Sequence, residues 1–158
     1  MTERQLNIKY LEYSSAVKMS SEDRELLESA ISAAEGAYAK YSSFRVGAAV
    51  RMSNGVVVIG SNQENAAYPS GLCAERTALF YASARYPGES VEAIAVVALD
   101  DKGVLTELTY PCGACRQVMA EYEMRAGREM RIIVGSAGVV QVFTGVRSLM
   151  PFIFDNLA

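Results

Sequence analysis

Val91-Glu92-Ala93-Ile94-Ala95-Val96-Val97-Ala98-Leu99 contains the longest apolar run of the chain, Ala93 to Leu99. It is far shorter than the ~18 residues a membrane span needs, and it reads as a strand buried on both faces. Such a strand requires cover on both sides. On its N-terminal side Ala74 to Arg85 reads as a helix stopped by Pro87-Gly88. Further back, Val46, Ala48, Val50 and Met52 recur at strand spacing, and Val56 to Ile59 returns after the turn Ser53-Asn54-Gly55, making a hairpin. Before the hairpin, Ser20-Ser21-Glu22-Asp23 is a helix start, and Leu27, Ile31, Ala34 and Tyr38 follow at helical spacing. On the C-terminal side Pro111 precedes a helix over Gly113 to Arg125. Two strands follow, Arg131 to Val134 and Val139 to Phe143, and the tail Ser148 to Ala158 reads as a short helix. The order predicts an α/β fold, a three-layer αβα sandwich around a mixed five-stranded sheet. Sites in such layers gather at strand ends and helix starts.

No repeat or linker splits the 158 residues, so one domain over 1–158 is expected. Residues 1–18 carry scattered apolar groups (Leu6, Ile8, Tyr10, Leu11) and read as an N-terminal extension of unknown role, a short strand or an arm. The start, Met-Thr-Glu-Arg-Gln, lacks the basic and apolar regions of a secretory signal. With 51% hydrophobic and 21% charged residues the chain is globular, and its net charge of −3 without a basic run argues against a polynucleotide partner.

The chain has no histidine, which excludes imidazole bases and His-containing metal sites. Three cysteines, an odd number, argue against a disulfide scaffold and for a reducing cytoplasm. All three fall at predicted helix starts, where the helix dipole favours thiolate: Cys73 at one, Cys112 and Cys115 at another. The i, i+3 spacing puts the latter two sulfurs on one face. If the two helix starts lie side by side, three thiolates converge and leave one tetrahedral position for water, as at a catalytic zinc. Taken singly, these residues have plainer readings. Cys112-x-x-Cys115 is a redox pair, Cys73 a small buried hydrophobe, and Glu75 an ordinary acid in a first helical turn. Taken together, Cys73-Ala74-Glu75 followed by Pro111-Cys112-Gly113-Ala114-Cys115 matches the known layout of zinc nucleobase deaminases, a match to a signature and not a derivation.

At these residues the chain resembles the small, homotetrameric cytidine deaminases whose zinc ligands are all cysteine. Tyr41-Ser42-Ser43-Phe44-Arg45-Val46-Gly47-Ala48-Ala49 is similar to that family's first substrate segment, and Asn62-Gln63-Glu64-Asn65-Ala66-Ala67-Tyr68-Pro69 to its ribose segment. Cys73 to Ala78 and Pro111 to Gln117 match its zinc segments, and Leu149-Met150-Pro151-Phe152-Ile153-Phe154 its C-terminal one. Lys40, Met150 and the bulky pair Phe152-Ile153 depart from the family pattern.

The resemblance implies a cytidine deaminase-like fold and one zinc per subunit on Cys73, Cys112 and Cys115. It implies zinc-dependent hydrolytic deamination of cytidine and 2′-deoxycytidine to uridine and 2′-deoxyuridine, with release of ammonia, in pyrimidine salvage. Glu75 would shuttle protons, first from water to ring N3 and then to the departing amine. Three thiolates and Zn²⁺ carry a net negative charge, so a cation beside the sulfurs would restore the acidity of the water. The resemblance gives that role to Arg76. Arg116 either donates to a sulfur in the same way or is a surface arginine. Asn62 and Glu64 share a face of an extended segment and would bind ribose hydroxyls, Phe44 would stack on the base, and the Ala74 N–H would meet its carbonyl edge. Phe154 would close the base pocket of a neighbouring subunit in a homotetramer with shared sites, unless the bulky pair shifts that contact to Phe152. The expected partner is a nucleoside, with no nucleic acid and no membrane. Against this stands a non-enzymatic zinc or dithiol module, which would explain Cys112 and Cys115 and leave Glu75 and Asn62 without a role.

Overall fold

A computed structural model describes residues 1–155. Among them are nine regular elements. They are β1 (Leu11–Tyr13), α1 (Ser21–Glu35), β2 (Arg45–Met52), β3 (Val57–Ser61), α2 (Ala74–Arg85), β4 (Val91–Leu99), α3 (Gly113–Ala126), β5 (Arg131–Gly135) and β6 (Val140–Thr144). The sheet runs β1-β6-β5-β4-β2-β3. Only the β4–β5 pair is parallel among these strands, and α3 makes the crossover that a parallel pair requires.

β4 lies between β2 and β5, and every residue in it except Glu92 is buried. Its alternate side chains enter two cores. Ile94 and Val96 face Ala78, Leu79 and Met119 of α2 and α3, whereas Ala95 and Val97 face Leu26, Leu27 and Ala30 of α1. The expected αβα layering is therefore present, with helices on both faces of the mixed sheet.

Two glycines set how closely the helices approach. A Cβ on Gly47 of β2 would lie 2.0 Å from the Ala30 carbonyl oxygen, and one on Gly60 of β3 would lie 2.5 Å from the Ala78 nitrogen. Neither position has room for a side chain, so α1 rests on β2 and α2 on β3 through alanine and backbone.

The sheet has six strands where five were expected. Three residues of the extension pair antiparallel with β6, Glu12 opposite Gln141. So short a segment carries no readable periodicity, and the open edge of β6 makes it a strand. The buried stripe of α1 is Leu26, Leu27, Ala30, Ala33 and Ala34, shifted from the predicted Leu27, Ile31, Ala34 and Tyr38. The close seat over Gly47 selects alanines, and the helix ends at Glu35, before Tyr38. The expected tail helix does not form through residue 155. A 3-10 turn, Val146–Ser148, is followed by chain without regular structure, and residues 156–158 lie outside the described residues. Pro151 interrupts a helix here, and so short a helix on its own is marginal.

Candidate metal centre

Cys73 caps α2 and Cys112 caps α3, each with extended backbone just before the first helical turn. Both helices pack on the same sheet face, so their starts meet. Cys115, one turn into α3, is fully buried. The Cys73 and Cys112 sulfurs are 3.7 Å apart and those of Cys112 and Cys115 3.5 Å, with all three within 4.8 Å of one another. Three sulfurs on one tetrahedral zinc, at Zn–S of about 2.3 Å, stand about 3.8 Å apart, so the donor set fits that ion with little movement. The surroundings of the sulfurs favour thiolate at Cys73. The Cys73 thiol is pulled down to about 5, chiefly by the neighbouring Cys115 thiol and further by Arg76. Cys115 is pushed up in turn, by the neighbouring Cys73 sulfur and by burial.

Glu75 follows two residues after Cys73, in the first turn of α2, and is 3% exposed. Burial is the main reason its carboxyl is held above the ordinary range, and the nearby Cys73 sulfur adds to it. Arg76 places a guanidinium nitrogen 3.7 Å from the Cys73 sulfur. Its Nε is buried without a hydrogen-bond partner, and the guanidinium also interacts with Cys115. An orphaned donor beside the sulfurs suits a centre that gains negative charge when all three thiols ionise.

A cavity of about 460 Å³ opens beside Cys73, with Tyr41, Asn62, Glu64, Tyr68 and Arg76 in its wall. Asn62 pins the backbone at the start of β2 beside it. Its carbonyl accepts from the Val46 N–H at 2.7 Å, and its amide donates to the Phe44 carbonyl at 2.9 Å. Glu64 accepts from the Tyr41 N–H at 2.7 Å, from the Ser42 N–H at 3.3 Å and from the Ser42 hydroxyl. These bonds, the Ser42 hydroxyl first, hold its carboxyl below the ordinary range. They also hold Ser43 in the left-handed region, φ 57°, an uncommon state for a residue with a side chain. Phe44 projects from this loop partly exposed and is not part of the cavity wall. Ala74 is buried at the first helical position, where an N–H has no intrahelical acceptor.

Two of the residues singled out in the sequence lie elsewhere. Arg116 makes no sulfur contact and is not a surface group. It is half-buried, donating through Nε to the Pro111 carbonyl at 2.7 Å and through its terminal nitrogen to the Leu149 carbonyl at 2.6 Å. Those carbonyls lie outside regular structure, and the guanidinium fork satisfies both at once. Phe154 stands 66% exposed and away from its own chain's cavity, its carbonyl accepting from Gln117 at 2.7 Å. The roles of Ser42, Gln117 and Gln141 were not anticipated. The first two sat unremarked within quoted motifs. Gln141 had one visible signal, a lone amide in the apolar strand Val139-Val140-Gln141-Val142-Phe143.

The description "cytidine and deoxycytidylate deaminase zinc-binding region" matches residues 20–128 of this chain. A cytidine deaminase of Halalkalibacterium halodurans is 47% identical over 136 residues, 84% of this chain and 94% of that protein. One of Sporosarcina psychrophila is 46% identical over 98 residues, 62% of this chain and 68% of that protein. Among solved structures, the cytidine deaminase of Burkholderia pseudomallei superposes with a TM-score of 0.72 at 40% identity, covering 86% of this chain and all of that one. The enzyme of Mycobacterium tuberculosis gives 0.62 at 34% identity, covering 83% and 95%.

Proposed function

The chain belongs to the cytidine and deoxycytidylate deaminase family with its zinc-binding region, and on that premise we propose that it deaminates free cytidine and 2′-deoxycytidine hydrolytically, in pyrimidine salvage. The products are uridine or 2′-deoxyuridine and ammonia. The observation that carries the reading is Glu75, a buried carboxyl with a raised pKa, between Cys73 and Arg76, which both line an open cavity, Cys73 being one of three convergent cysteines.

Cys73, Cys112 and Cys115 would hold one zinc per subunit, which when bound makes a water acid enough to attack at neutral pH. Glu75 accepts a proton from the attacking water and delivers it to ring N3, which makes C4 electrophilic. It then moves the second proton to the exocyclic nitrogen, the C4–N bond breaks, and ammonia departs. Burial suits this work, because a carboxyl with a raised pKa takes up and holds a proton more readily than an exposed one before passing it on. Arg76 offsets the negative charge of the sulfurs.

Asn62 and Glu64 are assigned to the ribose hydroxyls. A carboxylate has about four acceptor sites, and three of those on Glu64 are occupied by residues 41 and 42, leaving one for a hydroxyl. Asn62 likewise retains one amide hydrogen beyond the bond to Phe44. Phe44 is assigned to the face of the base and the Ala74 N–H to its carbonyl edge. Net charge −3 favours a small-molecule substrate over a polynucleotide.

Residues 1–158 act as one deaminase domain within a cytoplasmic homotetramer. Phe152 and Phe154 are 91% and 66% exposed while Ile153 packs inward, so the tail offers two aromatic rings to a neighbour. Phe154 is assigned to the adjacent subunit's base pocket. Purified protein incubated with cytidine should lose cytosine absorbance and release equimolar ammonia, and should scatter light as a tetramer. A zinc-loaded protein that releases no ammonia refutes the activity, and a fully active monomer refutes the shared site.

A further inference from the structure

The loop before Cys112 is held from two directions. On one side Arg116 takes the Pro111 carbonyl. On the other, the Tyr110 hydroxyl donates to the Gln141 carbonyl oxygen at 2.6 Å, and the Gln141 amide donates to the Glu12 carboxylate at 2.8 Å. Gln141 is 8% exposed, and Glu12 is its direct partner in the β1–β6 ladder. An aromatic row runs parallel to this relay. The Tyr10 ring lies 5.2 Å from that of Phe143, which lies 6.3 Å from that of Tyr110, edge to face. Both rows start in the N-terminal extension, outside the family-matched residues 20–128, and both end on Tyr110, two positions before the exposed cysteine of the triad.

Each link needs its neighbour. A buried glutamine amide exposes four hydrogen-bonding sites, and leaving one unsatisfied in a strand interior costs about 1–3 kcal/mol. Gln141 therefore orients its side-chain carbonyl oxygen toward Tyr110 because its amide nitrogen faces and donates to Glu12. We propose that Glu12, Gln141 and Tyr110 are positioning residues for the metal centre, a relay by which β1 fixes the Pro111–Cys112 backbone and so retains the zinc. The inference rests on the zinc reading above.

The test follows zinc transfer from the holoenzyme, full chain, to a colorimetric chelator. Tyr110→Phe keeps the ring row and removes the hydroxyl. It should release zinc about tenfold faster, the lower end of what outer-sphere partners contribute to metal retention. Gln141→Glu sets two carboxylates opposite each other and should release it at least as fast. Glu12→Gln with Gln141→Glu restores the hydrogen bond between positions 12 and 141 with its polarity exchanged, while position 141 still accepts from Tyr110, and should return release to the wild-type rate. A merely structural role predicts faster release only together with earlier urea unfolding, so both are read on each variant, and release that changes at unchanged unfolding supports the relay. Wild-type release in Tyr110→Phe, or a double variant no slower than Gln141→Glu, overturns the relay while the function stands. A wild-type protein that binds no zinc overturns both.

Discussion

Asp23 and Glu75 are hidden to the same degree, 4% and 3% exposed, in the first turns of helices on opposite faces of one sheet. Their surroundings differ. Asp23 of α1 meets two guanidinium groups, Arg51 of β2 at 3.6 Å and Arg131 of β5. Arg51 also donates to the Glu22 carbonyl at 3.1 Å. Glu75 of α2 has no ion-pair partner among the described residues, and the arginine next to it faces sulfur. Burial with countercharge makes a carboxylate a cross-link, whereas burial without it makes a carboxyl that can exchange a proton. The same sheet uses one face to lock strands together and the other to do chemistry.

The contrast breaks first at Glu75. Glu75→Gln keeps shape and removes the proton carrier, so turnover should fall at least ~10²–10⁴-fold with zinc content and thermal stability retained. Near-normal turnover would place the proton transfer elsewhere, and loss of metal would make Glu75 a ligand. Asp23→Asn is the mirror experiment. It leaves Arg51 and Arg131 without a countercharge and should cost about 2 kcal/mol in urea unfolding, below the ~3–5 of a fully buried pair because Arg131 is partly in solvent. Turnover per folded molecule should stay near wild type, and a large loss of turnover would erase the division between the faces.

Arg76→Ala sharpens the comparison from the cation's side. The sulfurs lose their compensating charge, so the activity profile should move to higher pH by about one unit. An unchanged profile would make Arg76 an ordinary helix residue. The smallest effect concerns Glu64, an exposed carboxylate that clamps a loop. Its folded pKa lies below the ordinary 4.5, because of the Ser42 hydroxyl first and the Tyr41 N–H second. The clamp is therefore complete above 4.5 and is lost as pH falls through the lower folded value. Amide resonances of Tyr41 and Ser42 should titrate there in wild type and stay flat in Glu64→Gln. Identical titration in both proteins would assign the clamp to another group.

Legibility followed distance along the chain. The hairpin, the three helices and the long buried strand were readable because their periods repeat within ten or so residues. The cysteine triad was readable because thiolate chemistry is rare in this composition and its spacing matches a known layout. Three features were not. Asp23, Arg51 and Arg131 form one cluster through partners up to 108 positions apart, and each alone is an ordinary surface charge. Arg116 was judged by its neighbour Cys115, but its guanidinium reaches back to Pro111 and out to Leu149. The tail was expected to be a short helix, yet through residue 155 it forms no regular element and is anchored by Gln117 and by Arg147 on Asp155.

The sequence by itself determined the chemistry available to this protein: no imidazole, three thiols at helix starts, and an acid two residues from one of them. Those facts depend only on residue type and local spacing, which a linear chain states outright. The tertiary structure alone decided which charges would meet. It sent two arginines to Asp23 and none to Glu75, joined the extension to Gln141 as a sixth strand, and turned Phe152 and Phe154 outward. The reason is that a carboxyl's solvation and neighbours are set by what packs over it, and packing brings together residues that the chain keeps far apart.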